Sequence, residues 1–176
     1  NYTNLNYLYS NVDAINMSRA FNYCLRAYNL PKSGNNTIDM YKTYCNCKNL
    51  RDFPKCGPNV INMGSAYDNC WNLTGAPVCG PNVTDMRWTY YDCRNLTGSP
   101  ACGDNVHNMY MTYYNCTNLT GSPACGNNVT DMSNAYYNCQ NLTGSPVCGP
   151  NVTDMGWTYY NCINLTIWSF IKKLIK

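Results

Sequence analysis

Apolar and polar positions recur along this chain at one fixed interval. Methionines stand at Met17, Met40, Met63, Met86, Met109, Met132 and Met155, 23 residues apart each time. Cysteines at Cys24, Cys47, Cys70, Cys93, Cys116, Cys139 and Cys162 keep the same step. Between each Met and the next Cys the order is constant. A small residue comes first (Ala20, Thr43, Ala66, Thr89, Thr112, Ala135, Thr158), then an aromatic one (Phe21, Tyr44, Tyr67, Tyr90, Tyr113, Tyr136, Tyr159). An unbroken period of this length is the signature of stacked repeats, each burying its apolar face against its neighbours.

Within one unit, Ala135, Tyr136 and Cys139 are spaced as one face of a helix. The pattern predicts a short helix over 133–139, with Met132 at its start. The slot after the aromatic residue varies (Asn22, Cys45, Asp68, Tyr91, Tyr114, Tyr137, Tyr160) and is assigned to solvent. Leu142 then points inward. Pro146 repeats as Pro31, Pro54, Pro77, Pro100 and Pro123. A stacked strand cannot lose an N–H at the same place in every copy without cost, so the strand starts at or after this proline and is very short. Lys32 and Lys55 place the following slot outside, and alternation turns Cys148 and its equivalents inward. Gly149 ends the strand in a turn.

The architecture this predicts is an α/β repeat solenoid. Short parallel strands lie on one face and short helices on the other. The coil is right-handed, as alternating strand and helix require. Residues 1–17 read as a degenerate repeat or cap, 18–165 as the array, and 166–176 as an amphipathic capping helix. In that last segment Ile167, Phe170, Ile171 and Leu174 fall at helical spacing. The chain has no initiator Met and is read as an excised part of a longer product.

Ala135-Tyr136-Tyr137-Asn138-Cys139-Gln140-Asn141-Leu142 and Asn151-Val152-Thr153-Asp154-Met155 together resemble the BspA-like class of leucine-rich repeats. The resemblance covers residues 18–165. It departs at 144–149, where Gly-Ser-Pro-Val-Cys-Gly replaces an alternating Val/Ile strand. It implies a leucine-rich-repeat solenoid acting as a surface adhesion or binding module, of the kind found on anaerobic bacteria and protozoa. Asn- and Tyr-rich versions are also similar to parts of phage tail proteins.

Composition narrows the classes. Of 176 residues only 12% are charged, and the net charge is +3. Lys and Arg this sparse and scattered argue against nucleic acid as partner. There is no signal peptide and no apolar run of membrane-spanning length, and membrane contact is not expected. The 17 tyrosines against three phenylalanines show that polarity comes from hydroxyls and amides rather than charge.

No catalytic set, cofactor motif or metal-ligand cluster is visible, so the chain is read as a non-enzyme without cofactor. The sole histidine, His107, replaces a Thr in a turn. A candidate binding surface is formed by Tyr91, Tyr114, Tyr137 and Tyr160 with Trp71, Trp88 and Trp157, whose rings could stack on sugar or protein. The thirteen cysteines leave two readings open. Cys47–Cys56, Cys70–Cys79, Cys93–Cys102, Cys116–Cys125 and Cys139–Cys148 could each close a disulfide, or pairs could span the longer gap, as Cys56–Cys70. The alternative is two columns of buried thiols. It is preferred because Cys24 is kept although Ser33 stands in its partner slot.

The glycosylation sequons at Asn72, Asn95, Asn118, Asn141 and Asn164, and at Asn82, Asn128 and Asn151, read better as amide ladders. Coils about 4.8 Å apart leave no room for a glycan on each. The Asp39, Asp85, Asp131 and Asp154 slot, shared with Asn62 and Asn108, reads as helix N-caps rather than a calcium column. The function this implies is recognition or adhesion on a bacterial surface protein or phage tail appendage. The alternative is a structural, filament-forming subunit. Partners would be cell-surface protein or carbohydrate, or other subunits of an assembly. Its place would be extracellular, on a cell surface or on a virion.

Overall fold

The computed structural model describes residues 13–100 and 102–166. The 23-residue units form successive coils laid one on the next, but their elements are not those the pattern predicts. Among the described residues there is no helix, and pairing is confined to isolated parallel bridges. The α/β assignment, with its helical and stranded faces, is therefore corrected: each coil is built from turns. The argument for a right-handed coil rested on alternating strand and helix, and it falls with them.

The segment 133–139 shows why no helix forms. Ala135 N–H donates to Met132 O (2.9 Å) and Cys139 N–H to Tyr136 O (3.1 Å), closing two turns in succession. The third residue of each turn is left-handed: Asn134 at φ 56 and Asn138 at φ 59. A left-handed residue at every fourth position cannot continue a right-handed helix. The N–H groups a helix would use internally go to the next coil instead. Asn134, Tyr136 and Asn138 donate to Gly156, Thr158 and Tyr160 at 2.8, 3.0 and 2.8 Å. The same two left-handed positions recur in every coil, from Arg19 and Tyr23 to Trp157 and Asn161. Helical spacing of apolar residues and a spiral of such turns bury the same side chains, which is why the sequence pattern misleads here.

The expected strand is likewise absent from the Pro–Gly stretch. Among the described residues, pairing there is limited to isolated bridges, Ala124↔Val147 and one at Ser33. A proline in every coil withholds the donor that a ladder needs. The continuous bridge column lies elsewhere, through Asn16, Asp39, Asn62, Asp85, Asn108, Asp131 and Asp154. That column extends the stack down to Asn16, so residues 13–17 join the array, with Met17 buried. Residues 1–12 and the capping helix expected at 167–176 lie outside the described residues.

The inward slots are as the period predicts. Met, Tyr, Cys, Leu and Val of the central coils are fully buried. The core rings form one stack: Phe21, Tyr44, Tyr67, Tyr90, Tyr113, Tyr136 and Tyr159 lie 5.3–5.7 Å apart with planes within 14°. The slot holds Tyr because each phenol has work inside the core. Tyr44 and Tyr67 donate to the carbonyls of Pro31 and Pro54, and Tyr90 and Tyr136 to those of Val78 and Ala124. The small slot is buried too from Thr43 to Thr158, though Ala20 in the first coil is exposed. Its threonines donate to methionine carbonyls of the preceding coil, Thr89 to Met63 O at 2.9 Å and Thr112 to Met86 O at 2.8 Å.

Candidate functional site

The polar columns that hold the coils also decide which surfaces are free. Asp85 Oδ1 accepts from Arg87 N–H at 2.9 Å, and every copy of that slot closes the same small turn. The N-cap reading of this slot keeps its backbone acceptor and loses its helix. Asn and Asp alternate from Asn16 to Asp131, which separates carboxylates stacked at coil spacing. Among the described residues no group of three or more His, Cys, Asp or Glu could hold a metal ion. The Asn-Leu-Thr asparagines form an amide ladder, Asn95 Nδ2 reaching Asn72 Oδ1 at 3.3 Å and Asn118 reaching Asn95 at 3.4 Å. The Asn-Val-Thr asparagines donate to backbone of the coil before, as Asn82 to Pro58 O at 3.0 Å.

All thirteen cysteines are free thiols in the structure. Those of the first column donate to carbonyls of the preceding coil: Cys70 to Tyr44 O (3.1 Å), Cys93 to Tyr67 O (2.9 Å), Cys116 to Tyr90 O (3.0 Å) and Cys139 to Tyr113 O (2.9 Å). Burial pushes their pKa values well above the ordinary thiol value, and that of Cys47 to about 12. The second column, Cys56, Cys79, Cys102, Cys125 and Cys148, is half-buried. There sulfur serves as an acceptor: Gly126 N–H points at Cys102 Sγ (3.3 Å) and Gly149 N–H at Cys125 Sγ (2.9 Å). Ser33 fills the same slot and takes Gly57 N–H at 2.6 Å. Burial first, then neighbouring charge, raises Cys79 and Cys102 to about 11. Thiols raised in this way are poor nucleophiles at neutral pH.

The proposed binding residues do not form one surface of open rings. Tyr91, Tyr114, Tyr137 and Tyr160 stack on one another at 4.9, 4.6 and 4.8 Å, so the two inner rings present edges and hydroxyls, not faces. Trp157 sets its ring against Tyr160 at 61°. Trp71 has a cation over each side: Lys48 Nζ lies 3.9 Å and Arg94 Cζ 5.5 Å from its ring centre, from the coils before and after.

Two of the seven meet where the pattern is broken. Ser65 and Asp68 stand where the next coil carries Trp88 and Tyr91, and the shorter side chains leave a notch of about 430 Å³. Trp88 and Tyr91 stand on its far wall, with Met111 behind. Tyr41 and Lys42 stand on the near wall, and Asp68 and Asn69 on its floor. Tyr91 is the last ring of the outer stack, and the residue one coil before it is Asp68. Trp88 is pinned from the other side, its Nε1–H on Met111 Sδ at 3.2 Å and Tyr110 edge-on at 5.3 Å. Burial raises the pKa of the Asp68 carboxyl, against the opposing effect of Cys45 and Asn69, which hydrogen-bond to it, and of the Lys42 ammonium. Cys45, whose slot the pattern assigns to solvent, is instead buried, and burial, then the Asp68 charge, raises its pKa to about 11.

Sequence reading missed a second surface. Ile15, Ile38 and Ile61 are exposed in the slot that later carries Thr84 and His107. With the parallel column Asn36, Asn59, Asn82 and Asn105 they line an open groove of about 760 Å³ crossing five coils. The run of isoleucines in an otherwise polar slot was the available signal.

No family model, curated protein or solved structure matches the chain.

Proposed function

We propose that this chain is a non-catalytic recognition module, a stiff stack of turns that offers the Trp88–Tyr91 notch to a saccharide. One observation carries the reading. The outer columns are self-covered along most of the stack, and the notch is where two aromatic walls border open space beside a carboxylate and an amide. Aromatic faces suit the apolar faces of sugar rings, and Asp68 and Asn69 suit their hydroxyls. The setting proposed with it is a bacterial surface protein or a phage tail appendage, outside the cell, which rests on the leucine-rich-repeat resemblance of the sequence. The test is a panel of neutral mono- and oligosaccharides titrated against tryptophan fluorescence and by calorimetry. Binding that Trp88→Ala removes and Trp157→Ala leaves intact supports the reading. A blank panel, or binding indifferent to Trp88→Ala, overturns it.

A second reading, a structural subunit, draws on the exposed Ile15, Ile38 and Ile61, an apolar stripe open to a neighbouring copy. Sedimentation velocity that shows a concentration-independent monomer, unchanged by Ile38→Asp, counts against it.

A further inference from the structure

The two tyrosine columns of this molecule differ in a way that bears on their chemistry. The inner rings from Tyr44 to Tyr136 are sealed, and the phenols of Tyr44, Tyr67, Tyr90 and Tyr136 are tied to backbone carbonyls. The outer four are not in the core. Tyr160 is half exposed, and Tyr91, Tyr114 and Tyr137 are partly exposed. Their rings are also closer together, 4.6–4.9 Å against 5.3–5.7 Å for the inner stack, with planes within 21°. Near-parallel rings in contact at about 3.5–4.0 Å between planes must be offset to reach such centroid distances. An offset stack lays the edge carbons of one phenol over the face of the next.

That is the approach a pair of tyrosyl radicals needs. The unpaired electron sits in the ring π-system, largely on the carbons ortho to oxygen, so bond formation begins face to face. We propose that Tyr91, Tyr114, Tyr137 and Tyr160 form an oxidative modification site, at which a peroxide-driven one-electron oxidant couples neighbouring rings into dityrosine within one chain. Each of two phenols gives one electron and its phenolic proton to the oxidant. The two ortho carbons then join, and the hydrogens on those carbons move to the oxygens, which restores both phenols. Per cross-link, two tyrosines lose two electrons and two protons, and one hydrogen peroxide becomes two waters. The bond would tie coil to coil outside the core. The slot tolerates change, since Asn22, Cys45 and Asp68 occupy it in other coils.

The molecule supplies its own control. Tyr23 and Tyr28 are more exposed than Tyr114 or Tyr137, yet neither stacks on another ring among the described residues. Exposure alone would favour them; stacking favours the ladder. The experiment treats dilute full-length protein with hydrogen peroxide and a haem peroxidase. Dityrosine is read by its fluorescence, by the loss of two hydrogens from the monomer mass per bond, and by peptide mapping. The expected result is intramolecular dityrosine between tyrosines one repeat apart in the outer slot. Tyr114→Phe with Tyr137→Phe keeps the stack but leaves no two phenols adjacent, and is expected to reduce intramolecular dityrosine to background. The single variants Tyr91→Phe and Tyr160→Phe each keep the Tyr114–Tyr137 pair, so each should retain the cross-link. Cross-links mapped to Tyr23 or Tyr28, cross-links only between chains, or a yield unchanged in the double variant would overturn the proposal.

Discussion

Replacing Tyr67 by Phe removes one oxygen from the centre of the stack and nothing else. Tyr67 is fully buried between Tyr44 and Tyr90, and its phenol donates to the Pro54 carbonyl, also buried. Among the described residues that carbonyl accepts from no other donor. Phe preserves the ring stack, as Phe21 does in the same slot. The effect is thus the cost of a buried acceptor left without a donor, about 1–3 kcal/mol. For a chain of this length that corresponds to a fall in melting temperature on the order of 5 °C. Urea unfolding followed by circular dichroism, with a thermal melt, measures both. Tyr114→Phe is the comparison, because its ring lies in the outer stack and should change stability by less than about 0.5 kcal/mol. A Tyr67→Phe protein as stable as the parent, or shifted no more than Tyr114→Phe, would refute the claim that these phenols satisfy core carbonyls.

Other outcomes follow from the same geometry. Stability should fall at alkaline pH. The buried thiols lie above their ordinary value of 9.0, Cys47 at about 12 and Cys162 at about 11, and the inner tyrosines lie above 10.0. The unfolded chain therefore releases these protons first, so stability is full below about pH 9 and declines above it, with cooperative release of tyrosinate absorbance on unfolding. Gly126→Ala would set a Cβ 2.5 Å from the Gly103 carbonyl oxygen and should cost about 3 kcal/mol, since backbone must move. Gly75→Ala meets no atom within 4 Å and pays only for its φ of +91, about 1–2 kcal/mol; chemical denaturation of the pair checks the order. Denatured without reductant, the protein should titrate thirteen thiols with Ellman's reagent, while folded protein withholds the first column; a lower denatured count would reveal disulfides.

The inward slots were legible because burial repeats once per coil. Met, the small residue, the aromatic ring, Cys, Leu and Val each keep their column, and the outward slot after Pro was equally readable; the slot after the ring was less so, since its Cys45 is buried. The backbone acceptor role of Asp39 and its equivalents was readable, and so were the amide ladders. The elements were not. A turn spiral and a helix both place residues such as Ala135, Tyr136 and Cys139 on one side. One left-handed slot did carry a signal, since all but Tyr23 of its residues, Asn46, Asn69, Asp92, Asn115, Asn138 and Asn161, are types that tolerate positive φ. The other holds Arg19, Lys42, Ser65, Trp88, Met111, Asn134 and Trp157, which share no left-handed preference. There the bonds to the next coil override local propensity. The notch was legible only in retrospect. It lies where Ser65 and Asp68 are shorter than Trp88 and Tyr91 of the next coil, and a departure shows what is missing rather than what it opens. Only Trp88 and Tyr91 had been marked for the right place.

The most direct measurement is solution NMR of the central coils. Through-bond couplings should connect Tyr67 N–H to the Thr89 carbonyl and Asn69 N–H to that of Tyr91, the bonds found at 2.9 and 2.8 Å. Left-handed carbon shifts should appear at Ser65, Asn69, Trp88 and Asp92. Continuous helical shifts across 133–139, with N–H couplings to carbonyls four residues back in the same coil, would contradict the turn-built stack.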